Sequence, residues 1–373
     1  MKTVIQTENS VVPNDKKCGN FKKAKNKSLQ GLRAVAILAI FISHTGIGPF
    51  GVLGAWGVSV FFVLSGFLMI YNYLPKKDMP KFGFAFAWTK IKRLYSLHII
   101  TMLLAAFYTI ITTGAVVKTI LDIGIHTLLI QMWIPKAEYY ATLNGPSWYL
   151  CASVFLYLMF PLILKLFKEK MTKKKAIYHM CVLFVVAILI SLTTVLLNNH
   201  SEKLWFSTKW ITYYFPPVRF IDFFMGCCLG YLFLNRGEFK KNYFLELAVC
   251  ILIPISFLIY IYEYGILGLQ SVKYSLLFLP TSMMLLWVVV NEKCVFPKIF
   301  STKILVWLGD LSPYIFLIHG VVLKYCRTGF SAVFSITNTY IIATVSLIAT
   351  IIGAILWHKF DEYLQNRSRK INP

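Results

Sequence analysis

The stretch Gly31-Leu-Arg33-Ala-Val-Ala-Ile-Leu-Ala-Ile-Phe-Ile-Ser-His44 decides how the rest of the chain is read. It is an apolar run bracketed by two ionisable side chains. A short Gly-rich link leads from it into a second apolar run, Gly57-Val-Ser-Val-Phe-Phe-Val-Leu-Ser-Gly-Phe67. Ser28 to Met69 thus reads as two membrane-length segments. An Arg at the centre of a spanning helix costs about 2.5–3.5 kcal/mol on insertion scales, so such residues mark function by default. Arg33 and His44 are eleven positions apart. At 3.6 residues per turn that is about 1,100°, which leaves them about 20° apart around the helix and about 16 Å apart along it. They share a face at different depths.

Working outward, the whole chain has the same character. It is 373 residues long, 58% hydrophobic and 14% charged, with a mean hydropathy of +0.66. Repeated apolar runs of about twenty residues define an all-α polytopic membrane protein. Spans are expected near 29–46, 55–74, 94–114, 146–168, 176–197, 216–234, 244–264, 272–290, 304–325 and 337–358. This divides the chain into a basic tail at 1–28, a membrane domain at 29–358 and a second basic tail at 359–373. The formal charge of +23 falls mainly in alternate loops, as at Lys76, Lys90 and Arg93, then Lys168 to Lys175, then Arg236 to Lys241. That alternation predicts about ten spans with both termini in the cytoplasm, and membrane lipids rather than nucleic acid as the partner of the positive charge. Thr119 to Trp133 is apolar but short and contains Asp122 and His126, so it is expected to re-enter or lie at the interface. No cleavage site follows the first run convincingly, which predicts a signal anchor.

The eight cysteines are scattered, with no zinc-site spacing, so no metal is expected. Chemistry is sought in the polar residues of the spans. Lys90, Lys92 and Arg93 form a cation cluster that serves either topology or as a clamp for a polyanion. Asn144-Gly-Pro-Ser-Trp148 is a turn entering the fourth span. Arg219 and Asp222 stand three apart on one face, either as an intramembrane ion pair or with Asp222 charging a histidine at the depth of His44. Asp310 and His319 flank Pro313 in the ninth span and are expected to face the bundle interior. Ser59, Ser65, Gly57 and Gly66 suit close helix packing, not catalysis.

These pieces, in this order, resemble acyltransferase family three, polytopic membrane O-acyltransferases that modify bacterial glycans. Gly31-Leu-Arg33 through His44 resembles the family's first-helix signature, and Gly57 through Phe67 its second. Lys90-Ile-Lys-Arg93 resembles its paired basic positions, with Lys in place of the usual first Arg. Asn144 to Trp148, Arg219-Phe-Ile-Asp222 and Leu308 through His319 resemble later elements. Ser153 and Val154 stand where family members often carry two acids. The chain ends at Pro373 with no SGNH-type esterase domain, so a stand-alone form is expected.

The resemblance implies transfer of an acyl group, usually acetyl, from acyl-coenzyme A to a hydroxyl of a glycan or lipid-linked carbohydrate, by a multi-pass protein of the bacterial plasma membrane. Arg33, Lys90 and Arg93 are then expected to bind coenzyme A phosphates. His44 is expected to be the catalytic base, Asp222 to tune it, and Arg219 or backbone groups to stabilise the oxyanion. A transporter or flippase, whose intramembrane charges line a substrate path, is the alternative. An inactive scaffold is a third reading, drawn from the missing acidic pair.

Overall fold

The computed structural model describes residues 15–80, 82–198, 209–262, 274–335 and 337–371. Residues 1–14 and the side chains of Lys16 to Lys25, most of the expected basic tail, lie outside the described residues. The described residues form α1 (Asp15–Thr45), α2 (Val52–Tyr73), α3 (Phe84–Thr113), α4 (Val116–Thr127), α5 (Ala137–Tyr140), α6 (Trp148–Glu169), α7 (Lys173–Asn198), α8 (Pro216–Leu234), α9 (Tyr243–Tyr262), α10 (Leu279–Val290), α11 (Phe296–Phe300), α12 (Lys303–Phe334) and α13 (Thr339–Ile371). Among the described residues, nine helices are long and apolar enough to cross a membrane. The tenth expected span is an apolar helix of shorter length, Leu276–Val290, entered through a π-helical turn at Tyr274–Phe278. Its middle is packed within the protein, with Leu285, Leu286, Val288 and Val289 buried.

The bundle is apolar on both its inside and its outside. α2 is buried around nearly its whole circumference, as expected of a helix without a polar face. The outer helices leave apolar side chains exposed, such as Leu103, Leu104 and Phe107 of α3, Leu189 of α7, Leu258 of α9 and Ile348 of α13. Hydrocarbon is the solvent that suits such a surface.

Inside, helices approach to backbone contact. A Cβ on Gly66 would lie 1.9 Å from the carbonyl oxygen of Phe223, and one on Gly226 would lie 2.0 Å from that of Val63. The glycines therefore fix the α2–α8 spacing, because dispersion, not hydrophobic exclusion, holds helices together in lipid. α1 is clasped in the same way. A Cβ on Gly57 would lie 2.6 Å from Ala36 O of α1, and one on Gly309 of α12 would lie 1.9 Å from Gln30 O.

Three expectations change. α3 starts at Phe84, ten residues before the expected span, so Lys90, Lys92 and Arg93 belong to its early turns, not to an entrance loop. The tail expected at 359–373 continues α13 without a break as far as Ile371, and its Asp361 is buried. At the other end α1 begins at Asp15, well before the expected boundary at 28. The 119–133 segment forms only α4 and a 3-10 turn at Gln131–Trp133. The 12 residues of α4 span about 18 Å, short of a hydrocarbon core of about 30 Å. Its His126 Nε2–H donates to Tyr139 O at 3.0 Å, tying α4 to the loop that leads to Asn144. Burial pushes that imidazole down to about 4, which keeps it neutral.

Gly66→Ala or Gly226→Ala should lower stability in detergent by at least the ~1–3 kcal/mol typical of overpacking. Gly237→Ala, with nothing within 4 Å of its new Cβ, should not. Thermal unfolding of the purified protein checks this; equal melting of all three variants would remove the close-contact account.

Candidate active site

Arg33 and His44 do share a face of α1, and each opens on a separate cavity system. The cavity at Arg33 has an empty volume of about 770 Å³. Lys90 of α3, Ser65 of α2, Tyr149, Ser153 and Tyr157 of α6, and Ser312 of α12 also line it. Ser65 and Tyr157 are joined at 3.2 Å through their hydroxyls. Lys90 Nζ donates to Tyr73 OH, and Arg33 Nη1 reaches Gln30 Oε1 at 3.4 Å. Among the described residues, no carboxylate lines this cavity. It therefore presents two cations; Asp310 of α12, which is exposed and outside this lining, acts electrostatically on Arg33 without forming an ion pair with it among the described residues.

Ser153 stands where the sequence resemblance led an acid to be expected. Its hydroxyl donates to Tyr149 O one turn back, at 2.7 Å, and it lines the Arg33 cavity, not those that His44 borders. In this chain that wall is neutral.

Arg93 is placed differently from expectation. It does not line the Arg33 cavity. Its Nε donates to Asp361 and its Nη2 to Tyr314 OH at 2.6 Å, while Tyr314 OH donates to Asp361 at 2.9 Å. This network ties α3, α12 and α13 together. Two of its five guanidinium N–H donors are taken by the carboxylate and the phenol, and Asp361 offsets its charge.

His44 stands in the last turn of α1, which Gly46 terminates with φ +77°. His44 Nδ1 lies 2.8 Å from Ile40 O, one turn back. A carbonyl oxygen only accepts, so Nδ1 carries the proton and Nε2 keeps its lone pair. The ring borders two cavities with empty volumes of about 610 and 770 Å³. Both are also lined by Pro146, Trp148 and Tyr214. Phe316 of α12 borders the first of these and the Arg33 cavity as well. Its ring packs against Tyr149 with centroids 5.2 Å apart, so an aromatic partition separates the cationic cavity from His44.

The sequence marked His319 as polar and inward-facing, and the structure brings it to His44. The two rings meet edge-on with centroids 5.0 Å apart. His319 Nδ1 donates to Ile315 O at 3.0 Å, and its buried Nε2 has no hydrogen-bond partner among the described residues. Asn144 sits nearby, its Nδ2 donating to Thr101 Oγ1 at 2.9 Å and Leu317 O at 2.8 Å. The Asn-Gly-Pro turn therefore pins α3 to α12 beside the histidine pair. Sequence spacing gave no sign of this, because His319 lies 275 positions from His44.

Asp222 does not orient His44. Its Oδ2 pairs with Arg219 Nη1 at 2.7 Å and its Oδ1 accepts from Ser59 at 3.4 Å. Arg219 Nη2 donates to Thr212 O at 3.0 Å, and the guanidinium sits over the Tyr213 ring at 5.3 Å. Neither residue lines the cavities that His44 borders. Two opposite charges at i and i+3 offset each other within one helix, and Ser59 of α2 satisfies the other carboxylate oxygen. The orienting group of His44 is the Ile40 carbonyl, and the Arg219–Asp222 pair supports Tyr213, which does line the first His44 cavity.

The family model described as an acyltransferase domain, acyltransferase 3, matches residues 26–358. The chain belongs to that family. The acyltransferase MdmB of Streptomyces mycarofaciens is 28% identical over 240 residues, covering 57% of this chain and 58% of that protein. The chain thus spans less than two thirds of that relative's length. No solved structure matches it. Within this acyltransferase fold, the match takes in both cavity systems and every candidate residue named above.

Asp222→Ala should cost about 3–5 kcal/mol, the cost of stranding a buried charge. Exchanging the two residues (Arg219→Asp with Asp222→Arg) should recover part of it. Thermal unfolding of the single and exchanged variants measures this; wild-type stability of Asp222→Ala would return the carboxylate to a purely catalytic role.

Proposed function

We propose that this acyltransferase moves an acyl group, acetyl in the simplest case, from acyl-coenzyme A to a hydroxyl of a glycan or related carbohydrate acceptor, with both termini in the cytoplasm of a bacterium. One observation carries the reading. A single helix face holds a cationic cavity at Arg33 and Lys90 with no acid in its lining and, about 16 Å further along, an imidazole with a bare Nε2. A thioester donor with a phosphate-bearing handle and a long flexible arm suits that separation.

Arg33 and Lys90 bind donor phosphates. For the arm to reach His44, the Phe316 ring, which borders both the Arg33 cavity and the first His44 cavity, must swing aside. His44 Nε2 takes the proton of the acceptor hydroxyl as its oxygen attacks the thioester carbon. The carbon–sulfur bond then breaks, and the imidazolium returns the proton to the coenzyme A thiolate. The Nδ1–H···O bond to Ile40 holds the ring in the required tautomer throughout.

His44→Ala should lower transfer of labelled acetyl from acetyl-coenzyme A by about 10²–10⁴-fold, the usual contribution of a general base, at unchanged membrane abundance. A fully active variant removes the role. Lys90→Ala should act differently, raising KM for acetyl-coenzyme A while kcat changes little, because phosphate binding is felt equally in ground and transition states. A KM that stays at the wild-type value would take Lys90 out of the donor site.

A further inference from the structure

The two cavities bordered by His44 carry an electrostatic signature that the acyl-transfer chemistry does not require. Lys209 lines the first, and Lys324 and Arg327 line the second. Among the described residues, no Asp or Glu lines either cavity. Among the described residues, none of the three cations pairs with a carboxylate. Lys209 lies 5.8 Å from the centroid of the Tyr214 ring. Lys324 Nζ donates to Leu143 O, and Arg327 Nη2 donates to His44 O at 2.6 Å. Their partners are a π face and carbonyl oxygens, which orient the cations without cancelling their charge.

Topology does not account for them. In the orientation proposed above this mouth opens away from the cytoplasm, on the side where positive charge is disfavoured. Cations retained there and gathered around the transfer centre raise the local concentration of anions. Between them stand rings suited to sugar faces. Trp148 and Tyr214 meet edge-on at 5.1 Å, and Tyr140 lies 5.0 Å from Tyr214. The mouth therefore combines an apolar platform, a base and several uncancelled cations.

The geometry points to an acceptor that is itself anionic: a glycan carrying a carboxylate or phosphate near the hydroxyl to be acylated. Lys209 and Lys324 take the anionic group, the aromatic rings take the sugar face, and the hydroxyl is left at His44 Nε2. Arg327 is tied to the carbonyl of His44, at the C-terminal end of α1, and so sets the rim of the site beside the base. The inference rests on the reading of His44 as the transfer centre.

The test uses the purified full chain in nanodiscs and four probes: trigalacturonate, N-acetylglucosamine 1-phosphate, uncharged maltotriose and acetyl-coenzyme A. Binding of each is measured for the wild type, for Lys209→Gln with Lys324→Gln, and for Lys209→Glu alone. At least one anionic sugar should bind about tenfold or more tighter than maltotriose, since a charge-assisted hydrogen bond supplies that much. The first two probes show whether carboxylate or phosphate is preferred. The double variant should lose the preference while binding acetyl-coenzyme A within about twofold of wild type. The single Lys209→Glu variant, which leaves Lys324 on Leu143, should also lose most of it. Equal or absent binding of charged and neutral sugars overturns the inference. So does loss of acetyl-coenzyme A binding in the double variant, which would make these cations donor ligands. Anion preference without any acetyl-coenzyme A binding by the wild type would leave the acceptor site standing and remove the donor assignment.

Discussion

Two ionisable side chains on one apolar helix cannot be left facing hydrocarbon, and the bundle is arranged to take them out of it. α1 is held at backbone contact by α2 through Gly57 and by α12 through Gly309, so the face bearing Arg33 and His44 turns inward. Aromatic and aliphatic side chains together wall the cavities on that face. The close glycine contacts and the enclosed cavities are two consequences of one requirement. Polar groups at membrane depth must be enclosed by protein or by water that protein admits.

The same requirement explains how polar groups other than those of α1 are held. Arg219 and Asp222 pair within one helix, and Arg93, Tyr314 and Asp361 form a closed network across three helices. Pro313 removes the backbone donor that would serve Gly309 O, and Ser312 Oγ supplies one at 2.7 Å. The cations Lys90, Lys209, Lys324 and Arg327 on the two cavity systems have no carboxylate partner among the described residues, while elsewhere some buried polar groups, such as the Gln131 amide, also lack a partner among them.

Much of this was legible in the sequence. Hydropathy located the spans, helical periodicity put Arg33 and His44 on one face, and the order of the motifs gave the family. Assigning Lys90 to the Arg33 end needed only the alternation of spans. Partner choice between distant helices was beyond reach. Arg93 meets Asp361, 268 positions away, and His319 meets His44 only because α1 and α12 run side by side. Asp222 was misassigned because depth in the membrane is not adjacency: a neighbouring arginine on its own helix outcompetes a histidine on another.

The account turns on which nitrogen of His44 holds the proton. The bond to the Ile40 carbonyl places it on Nδ1 and leaves Nε2 bare toward the acceptor. Nitrogen-15 spectra of histidine-labelled protein in nanodiscs report the tautomer of each of the seven histidines, with His44 assigned by the signal lost in His44→Gln. The account predicts the Nδ1–H tautomer for His44. An Nε2–H tautomer would put the proton where the base must be empty and would contradict the mechanism.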